Sequence, residues 1–122
     1  MRITKDLVAA SATPLVLGIL ATEESYGYAI LKQVSELSSG QLEWSDGLLY
    51  PLLHRLERLG YVESYWRAQD GVRRRKYYRI TEQGRAELAE HRRQWAAVVD
   101  ALRGIWSATS ATRTISAPAW EG

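Results

Sequence analysis

A mainly helical fold with one small β hairpin is what this 122-residue sequence predicts, and three observations carry that expectation. Apolar residues recur at three- and four-residue spacing in four separate segments. Between the third and fourth segments, two runs rich in Tyr, Val and Trp flank Gln69-Asp70-Gly71, a turn signal in which glycine supplies a positive φ. Hydrophobic residues at 46% and charged residues at 25% suit a single globular domain with one core.

The elements follow in order. Ile3 to Ala21 reads as helical, with Leu7, Ala10, Leu15, Leu17, Ile19 and Leu20 as its apolar face. Pro14 interrupts this pattern, either kinking one helix or opening a second one capped by Thr13. Ser25 is placed to cap the next helix, whose stripe is Ala29, Ile30, Val34 and Leu37. Gly40 ends it through a left-handed residue, and residues 41–44 form a short link. Ser45 then caps a third helix carrying Leu48, Leu49, Leu52, Leu53, Leu56 and Leu59, which Gly60 closes. Tyr61 to Arg67 and Arg74 to Ile80 pair as the hairpin. Thr81 caps a last helix running to about Trp106, and residues 107–122 predict a mobile tail of Ser, Thr, Ala and Pro. Three helices followed by a two-stranded wing make the winged variant of the helix-turn-helix, over residues 1–80. The helix over 81–106 is not needed to complete that core.

Composition removes several function classes. There is no cysteine, so disulfides and thiolate metal sites are excluded. With two histidines, no Gly-rich phosphate loop and no metal-ligand spacing, neither an enzyme nor a bound metal or cofactor is expected. The longest apolar run, Pro14 to Ala21, is far short of a membrane span, and Met1 to Asp6 lacks a secretory start, so a cytoplasmic location is expected.

Charge is unevenly divided. Residues 1–53 hold three Lys/Arg against six Asp/Glu, a net −3, whereas residues 54–79 hold eight against three, a net +5. Residues 80–122 balance at five each. The basic middle segment suits a surface that faces phosphate, and equally a solvated hairpin with no partner.

Along the last helix, Leu88, Trp95 and Leu102 repeat every seven residues, as do His91, Val98 and Ile105. Together they alternate three and four apart, which is a coiled-coil seam. Pairing with a second copy would cover it, and so would folding back on the first helix.

Ordered blocks resemble one known family. Ser25-Tyr26-Gly27-Tyr28 opens the second helix; Asp46-Gly47-Leu48-Leu49-Tyr50-Pro51 and Leu53-His54-Arg55-Leu56-Glu57 form the third. Gly60-Tyr61-Val62 leads into the wing, Arg73-Arg74-Arg75-Lys76-Tyr77-Tyr78-Arg79-Ile80-Thr81 returns from it, and Thr81 to Arg85 opens the last helix. Spread over about residues 15–105, these blocks resemble the PadR family of transcriptional regulators, in its short-tailed branch with a single C-terminal helix. Val72 departs from the glycine that the family often carries before the arginines.

The resemblance implies a homodimer that binds double-stranded DNA at a near-palindromic operator, with repression as the expected outcome. A winged helix kept only for protein interaction, without DNA binding, is the alternative. Residues 46–59 would span about 21 Å as a helix and could enter the major groove. Ser45 and Gly47 let the backbone approach, and Leu48 and Pro51 are counted with them at the DNA; Tyr50 and His54 offer hydrogen bonds, and Arg55 either faces DNA or pairs with Glu57 or Glu36. Beside them, Ser25, Tyr26, Gly27 and Lys32 are expected at phosphate or sugar, with Tyr28 as a core anchor. Strand alternation prevents all four basic wing residues from meeting one DNA backbone, which leaves Arg73 with Arg75 or Lys76 as the phosphate contacts. Of Tyr77 and Tyr78, one is assigned wholly to the core, and Tyr77 is expected among the DNA-binding residues. Leu88, His91, Trp95, Val98, Leu102 and Ile105 are the expected dimer interface. The multidrug-responsive members of the branch imply a planar aromatic or phenolic effector at Trp95, with Leu7, Ala10, Thr13, Pro14 and Val99 as further lining.

Overall fold

The computed structural model describes residues 1–69, 71 and 73–115, with side chains at all of these except 69 and 110–115. Four helices and three strands follow in the order α1 (Lys5–Thr22), β1 (Ser25–Tyr26), α2 (Gly27–Leu37), α3 (Asp46–Arg58), β2 (Val62–Gln69), β3 (Arg73–Ile80) and α4 (Glu82–Ile115). The strands form one antiparallel sheet in the order β1-β3-β2. Residues 1–89 make one compact unit and residues from Glu90 onward a second.

The core of the first unit lies where α1, α2 and α3 meet the sheet. Val16, Leu17, Leu20, Ile30, Val34, Leu49, Leu53, Leu56 and Tyr78 are fully buried there. Each such aliphatic side chain contributes about 1.5–3 kcal/mol relative to exposure. Trp44, in the link before α3, is also buried against this cluster.

α1 is one helix with Pro14 inside it, so neither a second helix nor a Thr13 cap exists. Its first turn is capped by Thr4, whose hydroxyl accepts from the Leu7 N–H. Leu7 and Ala10 are exposed instead of joining the core, where Ala12 and Val16 take part. By length and mean hydropathy α1 would suffice to cross a membrane, unlike the shorter apolar run read from the sequence. Leu17, Ile19 and Leu20 instead carry the cover of the core.

Ser25 does not cap α2. It is buried in β1, opposite Tyr78, and the N-cap position falls to Tyr26, whose side chain makes no capping bond. A residue committed to a strand has its side chain directed to the sheet face and not back along the helix. At the other end of α2, Leu37 is exposed, and Ser39 rather than Gly40 takes the first left-handed position, at φ 53°. The Gly40 N–H then donates to the Ser35 carbonyl at 2.7 Å and closes the turn.

α3 begins after Ser45 as expected, but its cap is made by the backbone carbonyl alone, which accepts from Leu48 and Leu49. Gly60, at φ 83°, ends the helix, and the Tyr61 N–H reaches back to the Leu56 carbonyl. Leu59 is exposed. Thr81 ties the exit of the wing to α4: its hydroxyl donates to the Gly60 carbonyl at 2.6 Å and accepts from the Gly84 N–H at 3.0 Å. Gly84 lies so close to the Tyr61 carbonyl that an added Cβ would stand 2.1 Å from that oxygen.

α4 runs to Ile115, so residues 107–115, read from sequence as part of a mobile tail, are helical. Alanine, serine and threonine permit helix even without an apolar stripe, which is why periodicity alone missed them. Residues 116–122, and the wing-tip residues Asp70 and Val72, lie outside the described residues.

Candidate nucleic-acid interface

A groove of about 580 Å³ opens between α3, the start of α2 and the wing. Tyr50 and His54 of α3 line it, with Tyr28 of α2 and Trp66, Arg74 and Lys76 of the wing. Tyr26, Gly27, Arg73, Arg75 and Tyr78 line it too. The sequence blocks scattered over residues 26–78 therefore converge on one concave, basic and aromatic surface.

Tyr50 is the centre of this arrangement. It is 37% exposed, and its ring lies directly on Gly27, where a Cβ would stand 2.1 Å from the hydroxyl oxygen. The glycine at the start of α2 is thus explained by a tyrosine 23 positions later, because any Cβ there would displace that ring from where it lies. His54, one turn further along α3, is exposed. Ser45, Gly47 and Pro51 are exposed at the helix start, while Leu48 is half-buried against the core. Arg55 reaches neither glutamate; its guanidinium donates to the Thr13 hydroxyl of α1 at 3.5 Å.

The wing divides its cations between two faces, as strand alternation requires. On one face, Arg67 stacks on Tyr77, Arg75 on Tyr26 and Arg79 on Tyr65, with guanidinium carbons 4.4–4.9 Å from the ring centroids. Tyr26 and Tyr77 themselves lie 5.2 Å apart. Arg79 also pairs with Glu63 at 2.8 Å, which raises its pKa, and the Tyr65 hydroxyl donates to Glu24, which raises the phenol's pKa. On the other face, Arg74 lies over Trp66 and Lys76 over Tyr78. Burial, then the negative potential of Glu57, pushes the Tyr78 phenol above its ordinary pKa, so it stays neutral.

Sequence reasoning placed Tyr28 on the wrong side, while Tyr26 lines the groove as expected of a DNA-side residue. Tyr28, expected as a core anchor, is 67% exposed, while Tyr26 packs on Tyr77. Tyr77 and Tyr78 are both buried. Lys32 is exposed on α2 but does not line the groove. Trp66 and Arg74 were not singled out, because the register that sets Trp66 across from Lys76 is fixed only by the pairing of β2 with β3.

The sequence profile described as the transcriptional regulator PadR-like family matches residues 16–90. The chain belongs to the PadR-like family. Among its relatives, transcriptional regulator Rv3488 of Mycobacterium tuberculosis is 43% identical over 79 residues, covering 65% of this chain and 73% of that protein. A PadR family transcriptional regulator from Eggerthella lenta has a similar structure, with a TM-score of 0.71 at 34% identity over 83% of this chain and 86% of that one. A PadR-like transcriptional regulator from Bacillus cereus gives a TM-score of 0.75 at 26% identity, over 84% and 97%. The expected class is therefore correct: this is a PadR-like transcriptional regulator, with the DNA-binding regulation that implies, and not an enzyme. Its wing, α3 and α2 fall inside the matched span, so the groove is part of what the PadR-like likeness covers.

On α4, Leu88 is half-buried against the core of the first unit. Of the remaining seam residues, His91 and Trp95 are half-buried, while Val98, Leu102 and Ile105 are exposed at 51%, 38% and 60%. Glu90 is hydrogen-bonded by Gln94 and Arg93, which lowers its pKa.

Proposed function

We propose that this protein is a homodimeric repressor in the cytoplasm, binding a near-palindromic operator through two copies of the α3–wing groove. The observation that carries the reading is the convergence of Tyr50, His54, Arg74 and Lys76 on one groove beside the exposed start of α3. A helix start offers unpaired N–H groups and a partial positive charge to phosphate. Side chains along the outward face of α3 then reach base edges, and wing cations fix the register on the backbone without reading sequence. Arg73, Arg75 and Lys76 are the proposed phosphate contacts, with Arg75 the most restrained of them because Tyr26 holds its guanidinium.

Dimer formation is proposed through Leu88, His91, Trp95, Val98, Leu102 and Ile105. The apolar stripe left exposed at Val98, Leu102 and Ile105 supports it, since a solvated seam of this length is a liability. A two-fold pair would present two recognition helices to two inverted half-sites. The proposed division of labour is residues 1–80 for DNA and α4 for pairing. Sedimentation of the wild type and of Leu102→Glu, with duplex binding by each, tests this. The expected result is a dimer, and a monomeric variant that binds DNA far less tightly; a monomeric wild type at micromolar concentration would overturn it.

An effector reading rests on Trp95, the one large π-surface among the seam residues Leu88, His91, Val98, Leu102 and Ile105. With its dimer mate it would sandwich a planar aromatic or phenolic compound. Stacking adds about 0.5–1.5 kcal/mol beyond burial, which favours flat ligands without selecting one. Such a ligand releases DNA only by favouring one separation of the recognition helices over another. Tryptophan quenching by flat dyes that vanishes in Trp95→Ala is the expected result; equal quenching in both proteins would remove the reading.

A further inference from the structure

A second cavity, of about 910 Å³, opens within the first unit between the start of α1 and the link that joins α2 to α3. It shares no lining residue with the groove. Ile3, Val8, Leu42 and Leu48 give it aliphatic walls, and Trp44 is the one aromatic ring among its lining residues. Trp44 is 8% exposed, and its indole N–H is a buried donor with no acceptor among the described residues. Such a group has given up its bond to water without replacing it, which folded proteins rarely tolerate unless something else supplies the acceptor. Arg2 and Lys5 line the same cavity and are exposed. Among the described residues neither makes an ion pair or a side-chain hydrogen bond. With Glu43 as the lining's acidic residue, two cations against one carboxylate leave these side chains a net +1.

We propose that this cavity binds a small aliphatic carboxylate, of the class of a medium-chain fatty acid. Its volume falls in the range of small-molecule sites, and the aliphatic walls take the hydrocarbon chain out of water. A carboxylate is the matching head because an ionised carboxyl group only accepts hydrogen bonds. One of its oxygens receives the Trp44 N–H, and its single charge offsets the net charge of the lining. An amine head would bring donors to a place where a donor already stands unmet. The N–H is itself covered, so the head reaches it as residues 41–43 yield, and these lie outside any helix or strand. Ser45 and Leu48 bring the start of α3 into the cavity wall, so the ligand touches that helix without entering the groove.

Titration calorimetry of the full chain with sodium octanoate, and with octylamine as the cationic counterpart, tests this. The proteins are wild type, Trp44→Phe, the double variant Arg2→Gln with Lys5→Gln, and Trp95→Ala. The expected result is one octanoate bound per chain, with octylamine at least tenfold weaker. Trp44→Phe keeps a ring but removes the N–H, and should bind octanoate about tenfold more weakly, the loss typical of one hydrogen bond to a charged group. The double variant should lose about fivefold, which is what two exposed ion pairs are worth. Its two substitutions lie at exposed positions, so its result does not depend on how well Trp44→Phe folds. Trp95→Ala should bind as wild type does, which separates this cavity from the seam. No octanoate binding, equal binding of octylamine, or affinity within twofold of wild type in either cavity variant would overturn the proposal. So would loss of octanoate binding in Trp95→Ala. None of these results bears on whether the groove takes DNA.

Discussion

Replacing Gly27 by alanine should separate folding from DNA reading. The added Cβ would stand 2.1 Å from the Tyr50 hydroxyl oxygen and 2.6 Å from its Cζ, so the ring must retreat by about 1.3 Å to regain a 3.4 Å contact. The obstacle is the far end of a flexible side chain at the surface, not backbone, so the ring can swing away. An off-rotamer tyrosine costs about 0.5–1.5 kcal/mol. Alanine in place of glycine within a helix returns roughly 0.5–1 kcal/mol, so the net change in stability should lie within about 1 kcal/mol. Binding should respond more strongly, because the displaced ring is the one proposed to meet the bases. A lost base contact removes about 1–3 kcal/mol of discrimination, or roughly 5- to 150-fold in preference for the operator over random duplex. Thermal melting and fluorescence anisotropy on both duplexes read the two effects. An unchanged specificity ratio would refute the role of Tyr50, and a melting point lowered by more than about 8 °C would refute the claim that the clash is relieved cheaply.

Other perturbations follow from the same geometry. Gly84→Ala meets the Tyr61 carbonyl oxygen, which is backbone at the wing–α4 junction, and should lower the melting point by about 10 °C or more; a change under about 3 °C would show the junction to be pliable. Lys76→Gln should flatten the salt dependence of duplex binding by about one unit, and Arg75→Gln by less because Tyr26 holds that guanidinium. Equal flattening by both would mean that the two wing faces do not differ. Since burial raises the pKa of Tyr78, its neutral form is the one the fold accommodates. Its contribution is therefore present below the ordinary phenol value of 10.0 and lost as pH rises beyond it, so Tyr78→Phe should reduce the alkaline loss of stability in a pH series of melts.

The order of the four helices and the hairpin was legible from the sequence because each helix carries its own apolar period, whereas β1 was not foreseen. Gly60 and Thr81 occupy the positions assigned to them, and the hairpin turns around Gly71. What local reasoning missed depends on tertiary pairing. Ser25 looks like a helix cap until β3 recruits it as an edge strand, and nothing within four residues of it foretells Tyr78. Tyr26 and Tyr28 are chemically identical, so which one is covered is decided by Tyr77 across the sheet. Trp44 lies in a link that carries no period, yet the core takes it up. Arg55 shares a helix with the groove residues but turns to Thr13 on α1, a contact that crosses 42 positions. The groove itself was legible in its parts: the basic run and the α3 residues were found by charge and motif. Their meeting with Trp66 and Arg74 came from register, once the pairing of β2 with β3 fixed which side chains share a face.

Selection of bound fragments from a pool of random duplexes, followed by sequencing, tests the central claim most directly. The expected result is enrichment of two inverted half-sites whose centres lie about one helical turn apart, roughly 10–10.5 base pairs, with binding that weakens steeply as salt rises. A pool that emerges unenriched, or a protein whose duplex binding does not respond to salt, would contradict it.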